Sequence, residues 1–360
     1  MLVKIDNRRT DGFEFAIDLK ALSTFFRQTT SSSEVHMLKE EIALKSAVAG
    51  KPLPFQKKSP RKTAVKKIMR HWQFYLLILL PICFLITFNY YPMYGATVAF
   101  KDYNIVKGIT GSPWAGFKHF IYFFEGPYFW LIIKNTLGIS LYGLLVGFPI
   151  PIILALALNE VGKRFKKFVQ LVTYAPHFIS TVIIVSMLSL LLGPQSGLLN
   201  NFLASLGMDR INFMGEPGYF KSLVVWSDLW QNAGFSCIIY LAALSGIDPT
   251  LYEAAKVDGA SRWQKIINVD LPGIFPTIVI LLILAVGSIM SVGFEKIYLM
   301  QNAANAGSSE IIATYVYKIG LLNSNISYAT AVGLFNSIIN LILLVSVNAV
   351  ARKITKSSLW

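Results

Sequence analysis

The sequence predicts an all-α integral membrane protein with about six transmembrane helices and both termini on the cytoplasmic side. Three observations predict it. Of 360 residues, 54% are hydrophobic and only 14% charged, whereas an ordinary soluble domain carries about a quarter charged residues. About six apolar runs reach the roughly 20-residue length needed to cross a hydrocarbon core about 30 Å thick. Basic residues cluster at the ends of alternate runs, the pattern left by the positive-inside rule.

The runs lie near 72 to 92, 130 to 158, 168 to 192, 219 to 245, 274 to 293 and 328 to 350. Lys57, Lys58, Arg61, Lys62, Lys66, Lys67 and Arg70 precede the first run. Lys163, Arg164, Lys166 and Lys167 sit between the second and third, and Arg352, Lys353 and Lys356 close the last. With six spans these groups share one face, which the rule makes cytoplasmic. The loops 93 to 129, 193 to 218 and 294 to 327 hold sparser, mixed charge. The formal net charge of +14 is thereby explained by topology, and no nucleic-acid partner is expected.

Residues 1 to 56 read as a polar cytoplasmic extension, with possible short helices at 13 to 27 and 34 to 48 joined by "TTSSSE". A loosely ordered tail is favoured there over a docking element. No apolar core of signal-peptide type lies near the start, so no cleavage is expected. Residues 57 to 71 form a basic juxtamembrane segment, 72 to 355 the membrane domain and 356 to 360 a short cytoplasmic tail. Cys83 and Cys237 fall inside spans and imply no disulfide framework. The four histidines lack metal-ligand spacing, and no metal site is expected.

Between the fourth and fifth runs lies a charged stretch, "LYEAAKVDGASRWQKIINVDLPGIFPT", on the predicted cytoplasmic side. Asp248-Pro249 is an N-cap and first-turn pair, and Thr250 to Glu253 has capping-box spacing, so a helix starts there. Asp258-Gly259 supplies a turn, Ser261 with Gln264 forms a second capping-box pattern, and Leu271-Pro272 is expected to end the second helix before the next span. Leu251, Ala255 and Gly259, with Ala254 beside them, form a small-residue face that lets a partner approach the backbone, with Tyr252, Lys256 and Trp263 at its rim. A helix resting on lipid would need a larger apolar face, so a protein partner is preferred.

Glu253-Ala254-Ala255, three residues, Gly259, nine residues, then Val269-Asp270-Leu271-Pro272 resembles the EAA motif of ABC importer permeases. The motif usually has Ile where Val269 stands. "NYYPMYGATVAFKDYN", "GSPWAGFKHF", "KNTLGISLYGLLVGFPIPIILALALNE", "VTYAPHFIS" and "YATAVGLFNSIINLILL" extend the likeness to the sugar permeases, in the branch similar to polysaccharide and complex-oligosaccharide permeases, over roughly 70 to 355. The resemblance implies a type I ABC importer fold and a heterodimer with a second related permease. It also implies an ATPase dimer docked on the coupling segment 248 to 272, and an extracytoplasmic solute-binding protein that delivers an oligosaccharide or polysaccharide. The coupling residues it marks are Tyr252, Glu253, Ala254, Ala255, Asp258, Gly259, Ala260, Leu271 and Pro272. ATP and Mg belong to the partner ATPase, since this chain lacks a Gly-rich Lys-Ser/Thr phosphate loop. No catalytic residue and no cofactor are expected in the chain itself.

Polar and aromatic groups inside the spans are candidates for the substrate path: Asn135, Thr136, Asp228, Trp230, Gln231, Asn232, Ser288, Ser291, Asn336 and Asn340. For any single one of these, interhelical hydrogen bonding is the competing reading. Asp228 stands apart, because a carboxylate in a span costs about 2.5–3.5 kcal/mol at the centre. The aromatic residues Tyr90, Tyr91, Tyr94, Trp114, Tyr122, Phe123, Phe124, Tyr128 and Trp130 read as an interfacial belt, or as part of a docking surface for the delivering protein. A membrane enzyme would want a cluster of acids, histidines or a nucleophile, and none is seen. A channel or secondary transporter would need no coupling segment. Within the importer reading, the alternative is another sugar-derived solute.

Overall fold

The computed structural model describes residues 72 to 355, 358 and 359. The expected N-terminal extension, its two short helices and the basic segment to 71 lie outside the described residues. Contacts divide the chain into two units, Met1–Ile82 and Cys83–Trp360. The described part of the first unit is the apolar start of helix α1 (Trp72–Leu85), which contains Pro81. The helical run containing α1 continues through a π turn, Ile86–Tyr90, to a 3-10 turn, Tyr94–Phe100, and its 29 residues suffice for a span.

Everything after Ile82 belongs to the second unit, and among its described residues there is no β-strand, only an isolated bridge between Lys101 and Trp114. A short helix α2 (Lys118–Glu125) leads into α3 (Phe129–Gly147) and α4 (Pro149–Glu160), which together form a 32-residue span, Phe129–Glu160. Pro149 is tolerated because it opens α4, where its missing N–H has no partner to lose. α5 (Lys163–Tyr174) carries the basic cluster and buries no residue.

The third predicted run, 168 to 192, is not one straight helix. The segments Lys163–Phe178 and Thr181–Leu191 meet at 98°, and α6 (Thr181–Leu191) has 11 residues, about 16 Å of rise, too short for a core of about 30 Å. Around Pro176 the end of α5 passes into a 3-10 turn, Ala175–Phe178, and the break follows at Ile179 and Ser180, both extended. Ser180 then caps α6 by accepting from Ile183 N, and Gln231 Nε2 donates to the freed Ile179 carbonyl at 3.1 Å.

Helix α7 (Leu198–Ser205) lies in the next connection, and α8 (Pro217–Ser245) supplies the fourth span. Beyond Gly246 the chain turns by 74° into α9 (Pro249–Val257). Asp248 accepts from Thr250 N as the N-cap, whereas the Thr250-to-Glu253 capping box does not form, because Thr250 lies already inside α9. The second capping box forms in full, with Ser261 and Gln264 bonding each other's backbone N–H, and opens α10 (Arg262–Lys265).

Leu271-Pro272 does not end that helix. The run Arg262–Gly287 is continuous, through a π turn at Ile266–Asp270 into α11 (Leu271–Gly287). The π turn widens the helix by one residue where Pro272 supplies no N–H, so the chain passes without breaking. At its far end α11 stops at Gly287 rather than 293. α12 (Phe294–Met300), α13 (Ile312–Tyr317) and the last span, α14 (Ile326–Thr355), complete the fold.

α11 packs along α14, and α8 packs against α3, α4, α5 and α11. Three apolar clusters fill these seams. One joins Ile139, Val224, Val225, Ile297 and Met300; a second Phe123, Ile132, Tyr328 and Val332; a third, nearest α9, Ala155, Leu158, Cys237, Tyr240, Leu244 and Ile274. The remaining faces of the spans expose large apolar side chains, as helices in lipid do.

The tightest approach is α8 against the end of α5. A Cβ at Gly234 would stand 2.5 Å from the carbonyl carbon of Thr173 and 2.8 Å from its Cβ. Backbone cannot swing aside as a side chain can. Gly234→Ala is therefore expected to destabilise the fold by about 1–3 kcal/mol, read as a lower apparent Tm in detergent; an unchanged Tm would show that the two helices do not pack this closely.

Candidate functional site

Two features stand out: a bent surface segment between α8 and α11, and a cavity between spans whose lining includes several polar side chains. The segment runs from Asp248 to Pro272. α9 closes on Asp258, and Gly259 follows at φ +70°, a conformation that L side chains rarely adopt. Leu251, Glu253, Ala254, Lys256, Val257, Asp258 and Gly259 are exposed, as is Trp263, whereas Tyr252, Ala255 and Ala260 are half-buried. The small-residue face is thus split. Ala254 and Gly259 look outward, and Ala255 turns toward the bundle.

Tyr252 does not sit at a rim. Its hydroxyl donates to Asp270 Oδ1 at 2.5 Å, and burial, followed by the bond to Asp270, pushes its pKa up to about 12. At Asp248 the N–H of Thr250 holds the carboxyl below the usual range. Asp270 itself is fully buried and also accepts from Asn159 Nδ2 at 3.4 Å. Lys265 pairs with Glu160 at 3.4 Å. Leu271 is exposed, and Pro272 sits in the first turn of α11.

The cavity encloses about 410 Å³, and its walls come from α3 with α4, from α8, and from α11 with the turn after it. Of the predicted path residues, Asp228, Asn232, Ser288 and Ser291 meet here, joined by Ser140, Ser236 and Lys296. Lys296 Nζ donates to Asp228 Oδ1 at 3.0 Å, and Asn232 Nδ2 donates to the same oxygen at 3.0 Å. Asn232 Oδ1 in turn lies 2.9 Å from His177 Nδ1, whose ring stacks on Phe235 at 4.0 Å. Lys296 and His177 were not singled out from the sequence. Lys296 follows the fifth apolar run, and only its fall onto Asp228 reveals it.

The other candidates face elsewhere. Trp230 lines a separate apolar cavity of about 490 Å³ with Trp226, Tyr219 and Phe213, because it stands about 200° around α8 from Asp228. Asn135 Nδ2 donates to the carbonyls of Gly307 and Glu310, and Thr136 Oγ1 accepts from Ile312 N. Gln231 holds Ile179, and Asn340 accepts from Met290 N and donates to Ser291 Oγ. Asn336 Oδ1 is buried without a hydrogen-bond partner among the described residues.

The ion pair is lopsided, with the Lys296 side chain 7% exposed and that of Asp228 60%. Removing the carboxylate leaves a buried ammonium without its counter-charge, whereas removing the ammonium leaves a carboxylate that water reaches. Asp228→Ala should thus lower the apparent Tm more than Lys296→Met, and the double variant should recover most of the loss. Equal effects of the two single changes would contradict this geometry.

Residues 147–356 match the family described as the binding-protein-dependent transport system inner membrane component. The polygalacturonan/rhamnogalacturonan transport system permease protein YteP of Bacillus subtilis (strain 168) is 44% identical over 305 residues, covering 84% of this chain and 95% of the relative. Protein LplB of the same organism is 38% identical over 315 residues, 86% of this chain and 99% of its own. A chain in the crystal structure of a bacterial alginate ABC transporter, in complex with an alginate pentasaccharide-bound periplasmic protein, superposes with a TM-score of 0.75 at 41% identity. That match covers 82% of this chain and 99% of the other. The all-helical spans, the cavity between them and this match over more than half its length make the chain a multi-pass permease subunit that belongs to the binding-protein-dependent transport system inner membrane component family.

Proposed function

We propose that the chain is the transmembrane permease subunit of an ATP-driven importer, taking up oligosaccharide or polysaccharide delivered by an extracytoplasmic solute-binding protein. One observation carries the reading: the exposed helix α9 is covalently continuous with α8 and, through α10, with α11, and both of those spans wall the polar cavity. The names of YteP and of the alginate transporter support a sugar polymer as cargo. In the cavity, Asp228, Asn232, Ser288 and Ser291 offer the acceptors and donors that sugar hydroxyls need.

The assembly we propose contains a second related permease, which completes the path, and an ATPase dimer that holds ATP and Mg outside this chain. It sits in the bacterial cytoplasmic membrane, surrounded by lipid, with both termini inside. α9 then lies on the cytoplasmic side with the basic clusters. Glu253, Ala254, Asp258 and Gly259 face the ATPase, and closure of the nucleotide dimer moves α9 and with it the cavity walls. This is a two-state device, and the ATPase shifts it only by binding one state better than the other.

On the opposite side the segment 93 to 129 presents Trp114, exposed and stacked on Phe100 at 5.7 Å, above Asp102, which Lys118 and His119 hold. This is the surface assigned to the delivering protein. Replacing Trp114 by Ala should weaken stimulation of ATP hydrolysis by the loaded binding protein while leaving the ATPase bound; full stimulation would remove the assignment.

The central test is reconstitution of the complex in lipid with Gly259→Pro or Glu253→Lys. Proline cannot take φ near +70°, and lysine reverses an outward-facing charge. Both variants should copurify with the second permease. Uptake driven by ATP should fall about five- to 150-fold, the range of coupling free energies of about 1–3 kcal/mol. Normal sugar-stimulated hydrolysis and uptake in both would refute the coupling role.

A further inference from the structure

Asp270 presents a problem that the coupling reading does not answer. It is a fully buried carboxylate, and while its Oδ1 accepts from Tyr252 and Asn159, its Oδ2 has no hydrogen-bond partner among the described residues. Such a group is a poor way to make a fold stable, since an apolar side chain of similar size often does as well or better. What Asp270 does uniquely is join three elements. Tyr252 belongs to the exposed helix α9, Asn159 to the last turn of α4, and Asp270 itself to the π turn that opens α11.

The consequence concerns the cavity walls. Movement of α9 reaches α8 and α11 through the backbone. The third wall, α3 with α4, has no such backbone link, because α5, α6, α7 and α8 intervene in the chain. It packs on α8 and α11 through apolar side chains, and its directional, polar ties to the segment are made by the last two residues of α4: Asn159 bonds Asp270, and Glu160 pairs with Lys265. From Asn159 back to Pro151, where the cavity begins, is eight residues of unbroken helix, about 12 Å.

We propose that Asp270 is a positioning residue that couples α9 to the third wall of the cavity, so that all three walls move together when α9 is displaced. The inference rests on the reading of α9 as the ATPase-docking helix. Without the Asp270 junction, α8 and α11 follow α9 and α4 lags, so ATP is hydrolysed without sugar crossing.

The experiment uses the whole transporter in proteoliposomes, with loaded binding protein outside and ATP inside, and reads sugar taken up per ATP hydrolysed. Asp270→Ala, Tyr252→Phe and Asn159→Ala should each lower that ratio by about fivefold or more. Asp270→Asn keeps an acceptor oxygen for both donors and should restore at least half of it. A ratio equal to wild type in assembled Asp270→Ala, with uptake and hydrolysis reduced together or not at all, overturns the proposal, since a purely structural role predicts that result. If Asp270→Ala fails to assemble, Tyr252→Phe, which removes only a hydroxyl, decides in the same way. A wild-type complex that shows no sugar-stimulated hydrolysis overturns the docking reading itself, and with it this inference. A coupled wild type with unchanged variants overturns this inference alone.

Discussion

Everything in this structure answers to one constraint: in hydrocarbon, a backbone N–H or C=O that leaves the helical ladder finds no water to replace its partner. The long spans meet it by staying helical. The breaks meet it with side-chain amides reaching across from a neighbouring helix. Gln231 takes the Ile179 carbonyl at the 98° bend, Asn135 takes those of Gly307 and Glu310, and Asn340 takes the N–H of Met290 beyond the end of α11. In the connection after α6, Asn200 does the same for Leu192, Gly193 and Ile211. Each amide sits where the fold departs from regularity, and the departure at Met290 lies between two cavity-lining residues, Ile289 and Ser291.

That pattern explains which parts were legible in the sequence. Apolar length and basic flanks are sums over about 20 residues, so the spans Phe129–Glu160, Pro217–Ser245 and Ile326–Thr355 could be read with boundaries close to those observed. The bend between α5 and α6 rests on Pro176 and Ser180 inside an otherwise apolar window, and a hydropathy sum averages such a feature away. The polar residues of the spans pose the converse difficulty. Asn135 and Asn232 look alike in sequence, yet one plugs a helix break and the other lines the cavity. The distinction depends on the rotation of each helix about its axis, which only packing fixes. Trp230 shows this on one helix, two residues from Asp228 and facing the opposite way.

The local structure of the segment from Asp248 to Pro272 was read more surely because its signals are local. N-caps, a glycine at positive φ and a capping box are chemistry within four residues; Asp248 and Ser261 cap with their side chains, and Gly259 takes the positive φ that the lack of a Cβ permits. The misreading there was also local in form. Leu271-Pro272 looked like a stop, but the proline sits in the first turn after a π turn, where the ladder has already widened and no donor is missed. A stop would have made the segment a hinged flap. Continuity fixes it to α11, as the proposed lever requires.

A lever needs a bearing as well as a rigid arm, and the kind of contact at that bearing matters. Apolar contacts such as Ile274 against Ala155 and Leu158 resist separation but tolerate sliding, because dispersion depends weakly on lateral position. Hydrogen bonds and ion pairs are directional, and displacing a donor by about an ångström loses most of their strength. The polar ties at Asn159, Glu160, Tyr252, Lys265 and Asp270 therefore fix register where the apolar seam fixes only distance. On the coupling proposed for α9, positional fidelity explains why Glu160, Lys265 and Asp270 stand where apolar residues would be the stabler choice.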